Sequence, residues 1–242
     1  MGHKIEDLHS ITQSPADDHL GHAAQLLRQC AQREQPGGGL PSMADRRVAT
    51  SCVLHAFFGL ESLLNRVGYE TFIDDGSPRH VPEDRRGFWL RRFLRNWNTS
   101  GVADKLQAVL DVRERKAAPA NVLARLQEFN NLRNWLVHGF TYKTTFLLEP
   151  SEGRPDSYTV IDREDSVDWR SKFPNTGFNA PGELQYSDAA TALSIVFEAV
   201  ESLGEPVLLT LTEPKLRVKM FSPGQTIVAK LIDELAHNDA DA

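Results

Sequence analysis

Arg133 and His138 stand five positions apart in the stretch LRNWLVHGF (132–140) of a 242-residue chain. Histidine is the side chain whose ordinary pKa lies near neutrality, so it can give or take a proton. Arginine presents a planar fork of donors that matches phosphate oxygens. The pair therefore suits proton transfer at a phosphodiester, with the guanidinium stabilising charge as it develops. Asn134 lies one helical turn before His138 on the same face, where it can orient the imidazole or the phosphate. A plainer reading also fits, because a histidine in the last turn of a helix gains about 0.3–1 kcal/mol from the helix dipole.

A helix over ANVLARLQEFNNLRNWLVHG (120–139) must position these residues, with Pro119 ahead of its first turn and Gly139 as its stop. Val122, Leu126, Phe129 and Leu136 form one apolar stripe, and Arg133 falls within it. An unpaired buried arginine is costly, so Arg133 must face a carboxylate, a wet cleft or a subunit interface. His138 lies about 140° round an ideal helix from Arg133, on a face with Asn130 and Asn134. Within a regular helix the two do not converge.

The stretch LRNWLVHGF closely resembles the signature of the HEPN superfamily, small helical bundles that often dimerise. Arg133, Asn134 and His138 fill the positions of its arginine, polar residue and later histidine, and Leu132 and Gly139 fit the flanks. Upstream, AFFGLESLLNRVG (56–68) resembles the family's preceding long helix, with Glu61 in place of its frequent glutamate. The resemblance covers roughly 44–140, with the helix at 187–204 as a later bundle member. It implies cleavage of RNA with no metal and no cofactor. The 2′-hydroxyl would attack the adjacent phosphate, leaving a 2′,3′-cyclic phosphate and a free 5′-hydroxyl. His138 would serve as general base or acid, Arg133 would hold the phosphorane oxygens, and Asn134 would orient one of them. Glu61 would support the site or neutralise Arg133 inside the bundle. The family often supplies toxins and antiviral-defence effectors, so RNA, a second copy of the chain and an antitoxin or activator protein are the expected partners. In a symmetric dimer two motif copies would line one cleft, which would relieve the poor convergence. The rival readings are a non-catalytic HEPN-like module that binds a protein or nucleic acid, and a purely structural dimerisation domain.

The segment RRGFWLRRFLRNWN (85–98) is the local candidate for holding RNA. Arg85, Arg86, Arg91, Arg92 and Arg95 alternate with aromatic residues including Trp97, and cations can follow phosphates while an exposed ring stacks on a base. The alternative is an amphipathic helix in which Phe88, Trp89, Leu90, Phe93, Leu94 and Trp97 are buried and the arginines are merely solvated.

The rest of the chain sets the frame. Net charge is −6, which excludes a global basic field. Cys30 and Cys52 are too few for a disulfide framework, belong to no zinc spacing, and read as core fillers. The longest apolar runs, VLLTLT and AFFGL, fall short of a membrane span. The sequence MGHKIEDLHS has neither a signal-peptide core nor a myristoylation motif, so a cytoplasmic location is expected. Residues 1–16 read as a flexible lead, 17–204 as an HEPN-like helical domain with a β insertion near 141–180, and 205–242 as a C-terminal appendage. Within this, Gly68 is expected to cap a helix over 45–67, and Ser187 to start another. The expected fold is mainly α: a helical bundle with a small β-hairpin insertion and a mixed α/β appendage.

Overall fold

The computed structural model describes residues 15–33, 42–151, 158–213 and 215–237. Most of the flexible lead expected over 1–16 lies outside them. The described residues are mainly helical, with two antiparallel hairpins among them. Helix α1 (Ala16–Arg33) packs along α2 (Met43–Phe72), and α4 (Val102–Glu114), α5 (Ala120–His138) and α7 (Tyr186–Leu203) also pack on α2. By length and composition alone α2 could cross a membrane; here it is the central helix of the bundle. Its start is fixed by a capping box, in which Ser42 Oγ accepts from Asp45 N and Asp45 Oδ2 accepts from Ser42 N, each at 3.2 Å.

Gly68 does not end α2. The helix runs four residues further, and its C-cap is Ile73. The glycine is needed for space: a Cβ there would stand 2.3 Å from Trp97 Cζ2. Gly68→Ala should therefore cost about 1–3 kcal/mol by overpacking, read as a lower melting temperature. An unchanged melting temperature would mean that the indole moves aside freely.

Strands β1 (Thr144–Pro150) and β2 (Tyr158–Asp165) form the expected hairpin, with a register shift between Leu147 and Leu148. Part of the turn expected between them, residues 152–157, lies outside the described residues. Phe146, Leu147, Leu148, Tyr158, Val160 and Ile161 are all exposed on this ribbon. A short helix, α6 (Trp169–Lys172), follows. Helix α7 begins two residues before the position expected from Ser187, because Gln185 is its N-cap and forms a capping box with Asp188. The buried Asp188 carboxylate also accepts from Asn179 N and Nδ2, so the loop ahead of α7 is tied to its first turn.

Strands β3 (Val207–Glu213) and β4 (Lys215–Phe221) and helix α8 (Val228–His237) give the C-terminal segment its expected mixed character. It is not set apart from the bundle, however. β3 and α8 pack on α1, and Val207, Leu209, Phe221, Leu231 and Leu235 join the same core as α2 and α7. Both cysteines are core residues. Burial pushes the Cys30 thiol up to about 11 and holds the Cys52 thiol well above its ordinary value, so neither is poised as a thiolate.

On the seam between α1 and α2, three histidines cluster. His19 Nδ1 and His55 Nδ1 share a hydrogen bond of 3.0 Å, and the His22 ring meets His55 edge-on at 4.4 Å between centroids. Burial, then His22 and His19, hold the His55 pKa below its ordinary 6.5. The folded chain thus binds fewer protons than the unfolded chain in this range, and stability is complete above about pH 6.5 and falls as pH drops through the folded pKa. Thermal melting should show that loss on acidification, and His55→Gln should flatten it. An equally steep acid limb in the variant would place the effect elsewhere.

Candidate functional site

Gly139 ends α5 in the left-handed conformation (φ 60°, ψ 40°), as the sequence predicts, so His138 occupies the last turn. The imidazole is exposed, and its ring lies 5.9 Å from the Phe140 ring at 44°. Asn131, Asn134, Trp135 and His138 follow at i, i+3, i+4 and i+7, so one face of the helix carries two amides, an indole and the imidazole.

Arg133 starts from the other side. Leu126, Phe129 and Leu132 are buried in the core, while Arg133 is half-buried where the stripe approaches solvent. Its guanidinium lies over the Phe57 ring, 5.5 Å from the centroid. Nη1 donates to Asn134 Oδ1 at 3.1 Å, while the buried Nε has no partner among the described residues. Among the described residues no carboxylate pairs with this cation. Asn134 thereby turns Arg133 toward the face that carries His138. The structure records no direct contact between Arg133 and His138 within one chain.

Glu61 does not neutralise Arg133. Its carboxylate pairs with Lys105 Nζ at 3.4 Å, and the same ammonium donates to Asn65 Oδ1 at 3.0 Å. Lys105 is buried on α4, so its own desolvation calls for the carboxylate more strongly. Glu61 belongs to the α2–α4 contact.

At the end of α5 opens a cleft of about 280 Å³ lined by Asn131, Asn134, Trp135, Phe140, Lys172 and Phe173. Its far wall comes from α6 and the loop after it. Glu128 on α5 anchors that wall: the buried carboxylate accepts from Asn175 N (3.0 Å), Asn175 Nδ2, Thr176 N (2.9 Å) and Thr176 Oγ1 (2.7 Å). Trp169 meets Trp135 and Tyr142 edge-on and stacks on Phe173. Lys172 and Phe173 are distant from the motif in sequence, and nothing in their local pattern marks them. Glu128, a carboxylate next to the apolar stripe, was a visible signal that the motif overshadowed.

The basic-aromatic segment is largely structural. Helix α3 (Phe88–Leu94) buries Leu90 and packs Phe93 and Leu94 on the core. Trp97 is no stacking platform: its Nε1 donates to Asn65 Oδ1 at 3.0 Å, and its ring is held against Gly68, Phe72 and Phe93. Arg86 is occupied too, donating from Nε to Val81 O at 2.7 Å and lying over the Phe72 ring. Arg91 makes a loose, exposed pair with Glu83 at 3.5 Å, worth little in water. Arg85 and Arg95 are exposed, and the Arg92 side chain lies outside the described residues. Among the described side chains of the segment, Arg85, Arg91 and Arg95 are solvated cations, while Phe93 and Trp97 are packed against the bundle.

Among the described residues no group of three or more His, Cys, Asp or Glu side chains is arranged to hold a metal ion. No family model, curated protein or solved structure matches this chain.

Proposed function

We propose that this chain is a HEPN-type endoribonuclease that needs no metal ion and acts as a homodimer, as a toxin or antiviral-defence effector. The observation that carries this reading is Arg133, a half-buried guanidinium paired with no carboxylate among the described residues and bonded by Asn134 on the face that bears an exposed histidine. A cation left without its counter-charge is a site for an anion. A phosphate near the end of α5 would also meet the negative pole of the helix dipole, which the Arg133 charge offsets.

In this reading His138 takes the proton of the RNA 2′-hydroxyl. The O2′–P bond forms as the P–O5′ bond breaks, and the 5′-oxygen leaves with a proton. Arg133 holds the non-bridging oxygens of the phosphorane. A second copy of the chain would bring a second motif to the same cleft, and the exposed Val137 and Phe140, flanking His138 in sequence, are apolar surface that it would cover. The rival reading, a non-catalytic binding module, is favoured by the lack of contact between Arg133 and His138 within one chain. The test is incubation of purified protein with mixed RNA in EDTA, with and without candidate activators. Fragments ending in cyclic phosphate support the ribonuclease. Intact RNA under every condition, with retained RNA binding, supports the module.

A further inference from the structure

We propose that the β1–β2 ribbon joins two copies of this chain, its apolar face packing on the same face of the second copy across a two-fold axis. The choice of occupant rests on the two-copy reading above, and the ribbon adds the surface that holds the copies together.

The pairing register sorts the ribbon's side chains onto two unlike faces. Successive residues of a strand alternate between faces, and directly paired residues share one. Phe146 pairs with Arg163, Leu148 with Val160 and Pro150 with Tyr158, so Phe146, Leu148, Tyr158 and Val160 stand on one side. The Arg163 guanidinium lies over the Phe146 ring, 5.9 Å from its centroid, as that sorting requires. The other side carries Thr145, Leu147, Glu149, Thr159, Asp162 and Glu164. Ile161 is the extra residue at the register shift and has no partner across the ribbon. The ribbon is thus amphipathic, yet its apolar side is uncovered. Phe146, Leu148, Tyr158 and Val160 are between 42% and 61% exposed and lie outside the buried core. The C-terminal hairpin is the contrast, because β3 packs on α1 and buries Val207 and Leu209. A two-stranded ribbon is marginal in water until something covers its apolar face.

Charge indicates what covers it. The charged side chains on the apolar face are Arg163 and Asp165, which pair at 2.6 Å, and Arg163 also pairs with Glu183. The face therefore offers no spare cation to a nucleic acid or an anionic membrane, and no spare carboxylate to a basic peptide. With a net charge of −6, two copies repel unless their acidic residues point away from the contact. The ribbon meets that condition, since Glu149, Asp162 and Glu164 all lie on the far side. A neutral apolar face is also self-complementary, which a two-fold contact demands. The base of the ribbon is already fixed. Tyr142 Oη accepts from Gly182 N at 2.9 Å, and Thr144 Oγ1 donates to Asp165 Oδ1 at 2.7 Å. Little ordering remains to be done on docking. The apolar face exposes area on the order of a few hundred Å² per copy, and a stable pair needs about 1,000 Å² or more in total. The ribbons thus supply part of the contact, and the exposed Val137 and Phe140, just ahead of β1 in sequence, supply more.

The test is light scattering of the full chain at micromolar concentration, for the parent and for Leu148→Lys/Val160→Lys. The parent should have the mass of two chains. The double variant should raise the dimer dissociation constant about thirtyfold or more, the scale of one lost hot spot. Its circular dichroism spectrum should be unchanged, because both positions are exposed. A second measurement uses thiols. Cys30 and Cys52 are buried, so a short bismaleimide should join copies of Leu148→Cys and leave Leu147→Cys, on the far side, unlinked. A monomeric parent, or a dimer that the double variant leaves intact, would overturn the ribbon contact. So would binding of the parent to phosphatidylcholine vesicles that the double variant loses, which would assign the face to a membrane. RNA cleavage by the same preparations separates the contact from the reading it rests on. A ribbon dimer that cuts no RNA supports the contact and removes the ribonuclease reading. Cleavage by the double variant as a monomer supports the contact and removes the two-copy site.

Discussion

His138→Ala and Arg133→Ala should each reduce RNA cleavage by about 10²–10⁴-fold, the range over which a positioned acid–base group contributes. The double substitution should cost far less than the product of the single losses, because proton transfer and phosphorane stabilisation serve one transition state. The two variants differ in what else they disturb. His138 is exposed in the last turn of α5, so its removal should leave the melting temperature nearly unchanged. Arg133 lies over Phe57 and bonds to Asn134, so Arg133→Ala also removes packing. Arg133→Lys is the informative control: it keeps the charge and most of the stem but loses the planar fork, and activity should stay low while stability recovers. Full activity in Arg133→Lys would reduce the arginine to a point charge. Melting far below the parent in both alanine variants would make the motif a structural element.

Glu128→Ala should be the most damaging single change at a distance from the chemistry. It strips the acceptor from Asn175 N, Asn175 Nδ2, Thr176 N and Thr176 Oγ1 at once. With hydrogen bonds to a charged group worth about 1.5–3 kcal/mol each and not additive, the expected loss is about 3 kcal/mol or more. Glu128→Gln should also destabilise, because its amide NH₂ would face donors where the carboxylate accepted. The loop after Phe173 should loosen before the helices melt, raising hydrogen exchange at Asn175 and Thr176 and the KM for RNA. Unchanged exchange there in Glu128→Ala would show that the wall is held by its aromatic packing instead.

Much of the α5 architecture was legible because it is local. Gly139 must adopt a positive φ, which glycine tolerates, and the strand starting at Thr144 follows from the change in side-chain periodicity. Partners were less legible, since periodicity reports which face is buried but not what lies opposite. Glu61 reads as a partner for Arg133, yet the buried Lys105 on another helix claims it. Trp97 reads as a base platform, and Gly68 as a cap. In three dimensions each explains the other, because the indole occupies the space where a Cβ would stand. The cap of α7 moved from Ser187 to Gln185 for a similar reason: Asp188 is drawn into the core-facing turn by Asn179, which no local rule reveals. The far wall of the cleft comes from a segment beyond the hairpin and was invisible from the motif alone.

Cleavage of an oligonucleotide carrying a single 2′-deoxy substitution at the scissile nucleotide tests the central claim most directly. If the neighbouring 2′-hydroxyl is the nucleophile, the all-RNA strand is cut in EDTA to a 2′,3′-cyclic phosphate and a 5′-hydroxyl, and the substituted linkage stays intact. Cleavage at the 2′-deoxy linkage, or products bearing a 3′-hydroxyl and a 5′-phosphate, would contradict the account.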